Sequence, residues 1–294
     1  MIVGESRTKH SLWVLFFLLP ASAGLILFTV LPIVSSFILS LFSWDLLGIP
    51  EFVLLENFKR LSGDQKFWKS LVHTLSFVGG YIPAVLVTGL LTALLMNSKI
   101  KGRGAFRTAF FIPVVTSWIA VALLWTWLFN PKFGLINYIL ALVGINGPAW
   151  LYDPKWAMTA VIITSVWKDT GYVMMLFLAG LQDIPASLLE AASIDGASGI
   201  KRFTAVTLPL LSPTTFFILV ISLINSFQVF DQVWVMTGGG PSGATSVLVE
   251  QIYKNAFRYN NMGYASAISL ILFLIILIIT VLQSRVQKLW VHYV

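Results

Sequence analysis

Six stretches of this chain are long and apolar enough to cross a bilayer, a task that takes about 20 mostly apolar residues. Residues 70–98, 108–131, 203–230 and 259–284 contain no Lys, Arg, Asp or Glu. Residues 11–44 form a longer run that must tilt or extend past the hydrocarbon, with Pro20 and Pro32 as kink points. Residues 156–181 complete the set, interrupted by Lys168 and Asp169. Lipid offers backbone groups no hydrogen-bonding partner, so segments of this length fold as helices. The chain is therefore predicted to be an all-α, polytopic membrane protein with six transmembrane helices, residues 1–294 forming a single transmembrane domain.

Composition excludes several function classes. With 57% apolar and 11% charged residues, a soluble enzyme is ruled out, and no charged run or Gly/Ser linker marks a second folding unit. Zero cysteines remove disulfides, thiolate metal sites and Cys nucleophiles. The formal charge of +7 suits loops at anionic lipid, and no basic patch with interleaved aromatics suggests nucleic acid. The first apolar stretch lacks a small-residue cleavage pattern and is expected to be a retained span rather than a secretory signal. His10, His73 and His292 share no metal-ligand spacing.

Orientation rests on Lys99, Lys101, Arg103 and Arg107, four cations without an acid between the second and third stretches. Placed in the cytoplasm, they put both termini inside and the loops at 43–69, 130–155 and 231–258 outside. The first of these outer loops is expected to hold a short amphipathic helix. In the last, Gly238-Gly239-Gly240 reads as a turn rather than a phosphate cradle, because no Lys-Ser/Thr follows. Trp125 and Trp127 are expected in an interfacial belt, and Trp44, Trp68, Trp150 and Trp156 as anchors at span boundaries.

Residues 183–209 then form a cytoplasmic loop in which Pro185 opens a short helix and Gly196 ends it. Leu188, Leu189, Ala192 and Ile194 supply an apolar side; Glu190, Asp195, Lys201 and Arg202 supply a polar one. An interfacial helix would carry a face rich in Lys and Arg, which this one lacks. A docking surface for a partner is the other reading.

The motif here, Glu190-Ala191-Ala192, then Asp195-Gly196-Ala197, then Leu208-Pro209, resembles the EAA loop of the membrane subunits of bacterial ATP-binding-cassette importers. Ala179-Gly180-Leu181-Gln182-Asp183-Ile184-Pro185, Gly239-Gly240-Pro241 and Ala256-Phe257 extend the match. Asn57-Phe58, Asn130-Pro131, Gly134-Leu135-Ile136-Asn137 and Trp150-Leu151 resemble landmarks of the carbohydrate-uptake branch, which includes maltose, lactose and glycerol-3-phosphate importers. The resemblance implies a permease in the bacterial cytoplasmic (inner) membrane. Its implied partners are a second, homologous permease, two copies of a cytoplasmic ATPase and an external solute-binding protein. It also implies that Glu190, Ala191, Ala192, Asp195, Gly196, Ala197 and Pro209 couple to the ATPase. ATP and Mg would be bound there, since this chain has no Gly-x-x-x-x-Gly-Lys-Ser/Thr loop and no cofactor of its own.

Charged residues inside a span are costly by a few kcal/mol and usually line a polar path. Lys168 and Asp169 either satisfy each other and neighbouring helices or face a solute. Ser165, Asp169 and Tyr172 fall on one helical stripe, and Ser222, Asn225, Ser226 and Val229 on another, offering the donors and acceptors that sugar hydroxyls need. The resemblance to the maltose importer places Ser165, Lys168, Asp169, Tyr172, Ser222 and Ser226 near the solute pocket, although that pocket is not lined by a Lys-Asp pair. Import of a sugar or polyol is the expected function. Three alternatives stay open: an ATP-independent secondary transporter using Lys168 and Asp169, an importer of glycerol-3-phosphate or another non-sugar solute, and a scaffold with no solute path.

Overall fold

The computed structural model describes residues 3–98 and 101–291; Lys99 and His292, both weighed above, lie outside them. The helix α1 (Val3–Leu25) passes through a π turn at Ile26–Val30 into α2 (Leu31–Leu39), so that Trp13–Leu39 is one apolar run of 27 residues. A two-stranded antiparallel ribbon follows, β1 (Phe42–Ser43) with β2 (Glu51–Phe52), then α3 (Glu56–Gly63) and α4 (Gln65–Asn97). Next come α5 (Arg103–Val115), α6 (Trp118–Leu128), α7 (Leu135–Leu142), α8 (Ala157–Gln182), α9 (Ala186–Ile194), α10 (Gly199–Arg202) and α11 (Leu208–Leu210). The chain ends with α12 (Ser212–Phe227), α13 (Asp231–Met236), α14 (Leu248–Tyr253) and α15 (Met262–Val286).

Of the six predicted spans, four are continuous helices: Trp13–Leu39, Gln65–Asn97, Ala157–Gln182 and Met262–Leu289. The stretches at 108–131 and 203–230 are not straight. α5 and α6 meet at 103°, and Gly199–Leu210 meets α12 at 62°. Proline chemistry accounts for much of this. Pro113 has no N–H to give the preceding turn, and Thr116 and Ser117 are extended, with ψ of 142° and 139°. Pro213 likewise cannot serve the carbonyl of Pro209, and the Ser212 hydroxyl donates to that oxygen instead at 2.5 Å. Pro32 and Pro209 are each preceded by a π turn, Ile26–Val30 and Phe203–Thr207, whose wider winding accommodates the ring.

The chain divides into two compact units. The smaller comprises the residues up to Asp64 with Ile252–Ile271. In it the expected amphipathic helix of the first outer loop is α3, burying Asn57 and Leu61. Asn57 Nδ2 donates to the carbonyls of Ser40 and Phe42, both at 2.9 Å, and the Tyr264 hydroxyl donates to Asp64 Oδ2 at 2.6 Å. The Asp45 carboxylate accepts from the amides of Gly48 and Leu47, at 2.7 and 3.0 Å, which holds its pKa below the ordinary value.

In the larger unit, Gln65–Gln251 with the stretch from Leu272 on, α8 is the central strut, touching α4, α5, α6, α12 and α13. Gly171 lets α5 come close, since a Cβ there would collide with the Phe110 carbonyl. Hydroxyls in the apolar stretches satisfy themselves on their own helix: Thr164 and Thr170 donate to the carbonyls four residues back, at 3.0 and 2.6 Å. The Gly238 segment is a turn, with φ of +58° at Gly238 and +87° at Gly239, fastened where Thr245 Oγ1 donates to the Gly240 carbonyl at 2.7 Å. Trp150 is not the boundary anchor expected of it. It is 8% exposed, and its indole N–H donates to Asn137 Oδ1 at 2.6 Å.

Candidate functional site

A polar cavity of about 380 Å³ lies where α8 faces α4, α6 and the α12–α13 junction. From α8 it takes Ser165 and Asp169, one turn apart. Phe77 and Tyr81 of α4 and Trp118 at the start of α6 add aromatic surface. Asn225, Ser226 and Gln228 through Gln232 close the rest, because α12 ends at Phe227 and the chain turns at Phe230 into α13.

Tyr81 is 5% exposed, stacks on Phe77 with centroids 5.4 Å apart, and donates its hydroxyl to Asp169 Oδ2 at 2.8 Å. Asp169 is thereby aimed at the cavity by a group on another helix. Ser165 Oγ donates back to the Val161 carbonyl at 2.8 Å and accepts from Gln232 Nε2 at 3.2 Å, tying α13 to α8. Asp169 and Asp231 are the charged side chains of the lining, which holds no Lys, Arg or His among the described residues. Carboxylates, amides and hydroxyls beside flat rings can bind a polyhydroxylated solute, the polar groups taking its hydroxyls and the rings its C–H faces.

Of the residues singled out from sequence, Ser165, Asp169, Asn225 and Ser226 are brought together on this cavity. Lys168, Tyr172 and Ser222 are not part of its lining. Lys168 is 4% exposed and donates from Nζ to the carbonyls of Pro113 and Val114, at 3.0 and 2.9 Å; Tyr172 is 39% exposed, and Ser222 is buried. The two adjacent charges thus have different partners: Lys168 reaches the end of α5, and Asp169 meets α4. Sequence reasoning missed Tyr81, Gln228, Asp231 and Gln232. A phenol in a charge-free span needs a partner, which was a signal for Tyr81; the others follow α12 in a segment whose turn could not be placed. A larger groove of about 680 Å³ between α4, α5, α6 and α8 is mainly apolar, lined by groups such as Phe106, Phe110, Ile163 and Trp167. It offers a sugar few polar partners.

The segment after α8 has a different character. Pro185 precedes α9, and the helix closes in a Schellman motif: the Ala197 amide donates to the Ala192 carbonyl at 2.9 Å and the Gly196 amide to that of Ser193 at 3.2 Å. Gly196 has φ of +78°, the left-handed conformation this motif requires, and a Cβ there would meet nothing within 4 Å. Arg202 Nη1 donates to Ser193 Oγ at 3.0 Å, holding α10 to α9. No residue of α9 is buried, Glu190 is exposed, and Ile194 and Ile200 are 86% and 80% exposed.

Comparison with known proteins places this architecture. The chain is 39% identical over 276 residues to the trehalose/maltose transport system permease protein MalF of Thermococcus litoralis, covering 92% of each chain. It is 39% identical over 247 residues to the sn-glycerol-3-phosphate transport system permease protein UgpA of Agrobacterium fabrum, covering 82% of this chain and 83% of that one. Its fold matches a chain in the crystal structure of a bacterial ABC transporter involved in the import of the acidic polysaccharide alginate, at a TM-score of 0.84 and 23% identity over 96% and 97% of the two chains. The profile of the family described as binding-protein-dependent transport system inner membrane component matches residues 85–291. With that profile over most of its length and these relatives beside it, the chain belongs to this family, the permease subunits of ATP-binding-cassette importers.

Proposed function

We propose that this permease passes a neutral sugar or polyol through the cavity at Asp169, by alternating access driven by a separate ATPase. The observation that carries the reading is the lining itself. It pairs two carboxylates, three hydroxyls and three amides with aromatic rings and supplies no cation among the described residues. An anionic solute would meet Asp169 and Asp231 with no opposite charge, whereas a neutral polyol finds acceptors for its hydroxyls. The trehalose/maltose name of one relative agrees with this.

Coupling is assigned to α9 and its cap. Glu190, Ala191, Ala192, Asp195, Gly196 and Ala197 form or cap a short, exposed helix that can move as a rigid unit, and Pro209 lies further on in α11. Exposed Ile194 and Ile200 suit an apolar cleft on the ATPase, and Glu190 a cation beside it. On this reading the α9 side and both termini are cytoplasmic. The working assembly adds a second, homologous permease, two ATPase copies that bind ATP and Mg, and an external solute-binding protein.

The test is ATP-dependent uptake by the co-purified complex in proteoliposomes, with labelled maltose, trehalose, glycerol and sn-glycerol-3-phosphate. Accumulation of an uncharged solute that falls a few-fold with Glu190→Ala supports both halves. A second reading, import of a polyol phosphate, is favoured by the glycerol-3-phosphate relative. Selective uptake of sn-glycerol-3-phosphate would establish it and overturn the charge argument.

A further inference from the structure

We propose that Lys168 is a positioning residue for the cavity: it pins the broken end of α5 and so sets the wall that Trp118 presents to solute. The proposal rests on reading the cavity as the solute site. It begins from an energetic problem at the α5–α6 break. Helix α5 ends at Val115, and at the 103° turn the Pro113 carbonyl keeps one long bond, from the Thr116 amide at 3.3 Å, while the Val114 carbonyl loses the amide that a continuing helix would supply. Lipid offers no donor in its place.

Lys168 meets that need from another helix. Its Nζ lies 3.0 and 2.9 Å from the Pro113 and Val114 oxygens, a cation at the negative end of a helix dipole. The same Nζ is 4.9 Å from the centroid of the Trp118 ring, within the range of a cation–π contact. Trp118 is the first residue after the break and lines the cavity, as do Ser165 and Asp169 on the helix that carries Lys168. One helix therefore provides part of the wall directly and fixes another part through a cation that does not line the cavity.

The chain has no cysteine, so paired spin labels can be introduced cleanly at Phe106→Cys on α5 and Leu123→Cys on α6, both exposed positions. In the assembled transporter, Lys168→Met should broaden the distance distribution across the bend, and Lys168→Arg should restore it. An unchanged narrow distribution in Lys168→Met overturns the proposal, whatever solute is carried. The second measurement is the KM for labelled maltose and trehalose. Lys168→Met should raise it about tenfold, with a smaller change in maximal rate and rescue by Lys168→Arg. Trp118→Ala should add little to Lys168→Met, since the two share one effect. If Asp169→Asn raises KM and Lys168→Met does not, the positioning role is wrong and the cavity reading survives. If the bend loosens and none of these changes alters KM, the cavity reading fails and the pin remains.

Discussion

The cap of α9 and the cavity at Asp169 are assembled over different distances along the chain. Backbone hydrogen bonds that end α9 join residues three to five positions apart, from Ala191 to Ala197. The side-chain hydrogen bonds that arrange the cavity walls join residues 55, 67 and 88 positions apart, Lys168 to Pro113, Gln232 to Ser165 and Tyr81 to Asp169. A motif of the first kind keeps its shape wherever it is presented, which suits a part that must meet another protein. A site of the second kind exists only when several helices are correctly packed, and it can be reshaped when they move, which suits alternating access.

This contrast can be broken by mutation, and the largest effect is expected at the packing contact between α5 and α8. Gly171→Leu drives a side chain into the Phe110 carbonyl, an overpacking expected to cost about 3 kcal/mol. Size-exclusion chromatography should show loss of monodisperse complex, whereas Gly199→Ala, with open space around it, should leave the profile unchanged. Asp169→Asn comes next. Losing a charged hydrogen-bond acceptor is worth about 1.5–3 kcal/mol, so KM for the transported sugar should rise about ten- to hundredfold with the folded yield retained. An unaltered KM would remove Asp169 from the site.

Gly196→Val should cost about 1–2 kcal/mol in the turn, because a β-branched residue is forced to positive φ. Its expected outcome is uptake that fails while solute affinity of the complex stays normal, and Gly196→Asn should recover much of the coupling. If Gly196→Val shifts solute affinity instead, the separation drawn here is wrong. Glu190→Ala should lower ATP-driven uptake only a few-fold, the scale of one solvent-accessible ion pair, and raised salt should mimic it. The smallest effect belongs to another local device. Because Asp45 titrates below the ordinary carboxylate range, its hold on the Gly48 amide should persist down to about pH 4 and be lost at lower pH. Protection of the Gly48 amide, taken relative to its intrinsic exchange rate at each pH, should then fall, whereas absence of protection at neutral pH would count against the turn.

Legibility in the sequence follows the same division. The cap was readable because Pro185 and Gly196 act on their own backbone, and the membrane class was readable because lipid permits uncharged stretches few alternatives to helix. The bends were harder. Pro113, Pro209 and Pro213 all stand in the sequence, yet a proline marks where a helix can break and does not state an angle; 103° and 62° depend on what packs around each break. Likewise a stripe of Ser165, Asp169 and Tyr172 on one helix did not reveal that Asp169 faces the cavity while Tyr172 lies outside its lining.

The sequence by itself determined the class of molecule, the number of apolar stretches and the exposed capped helix, because each depends on local periodicity, charge and backbone chemistry. Only the tertiary structure decided that Lys168 and Asp169 part company, one to the end of α5 and the other to Tyr81. Adjacent residues on a helix project about 100° apart, so two neighbours in the chain address different surroundings, and which helices stand there is settled only by packing.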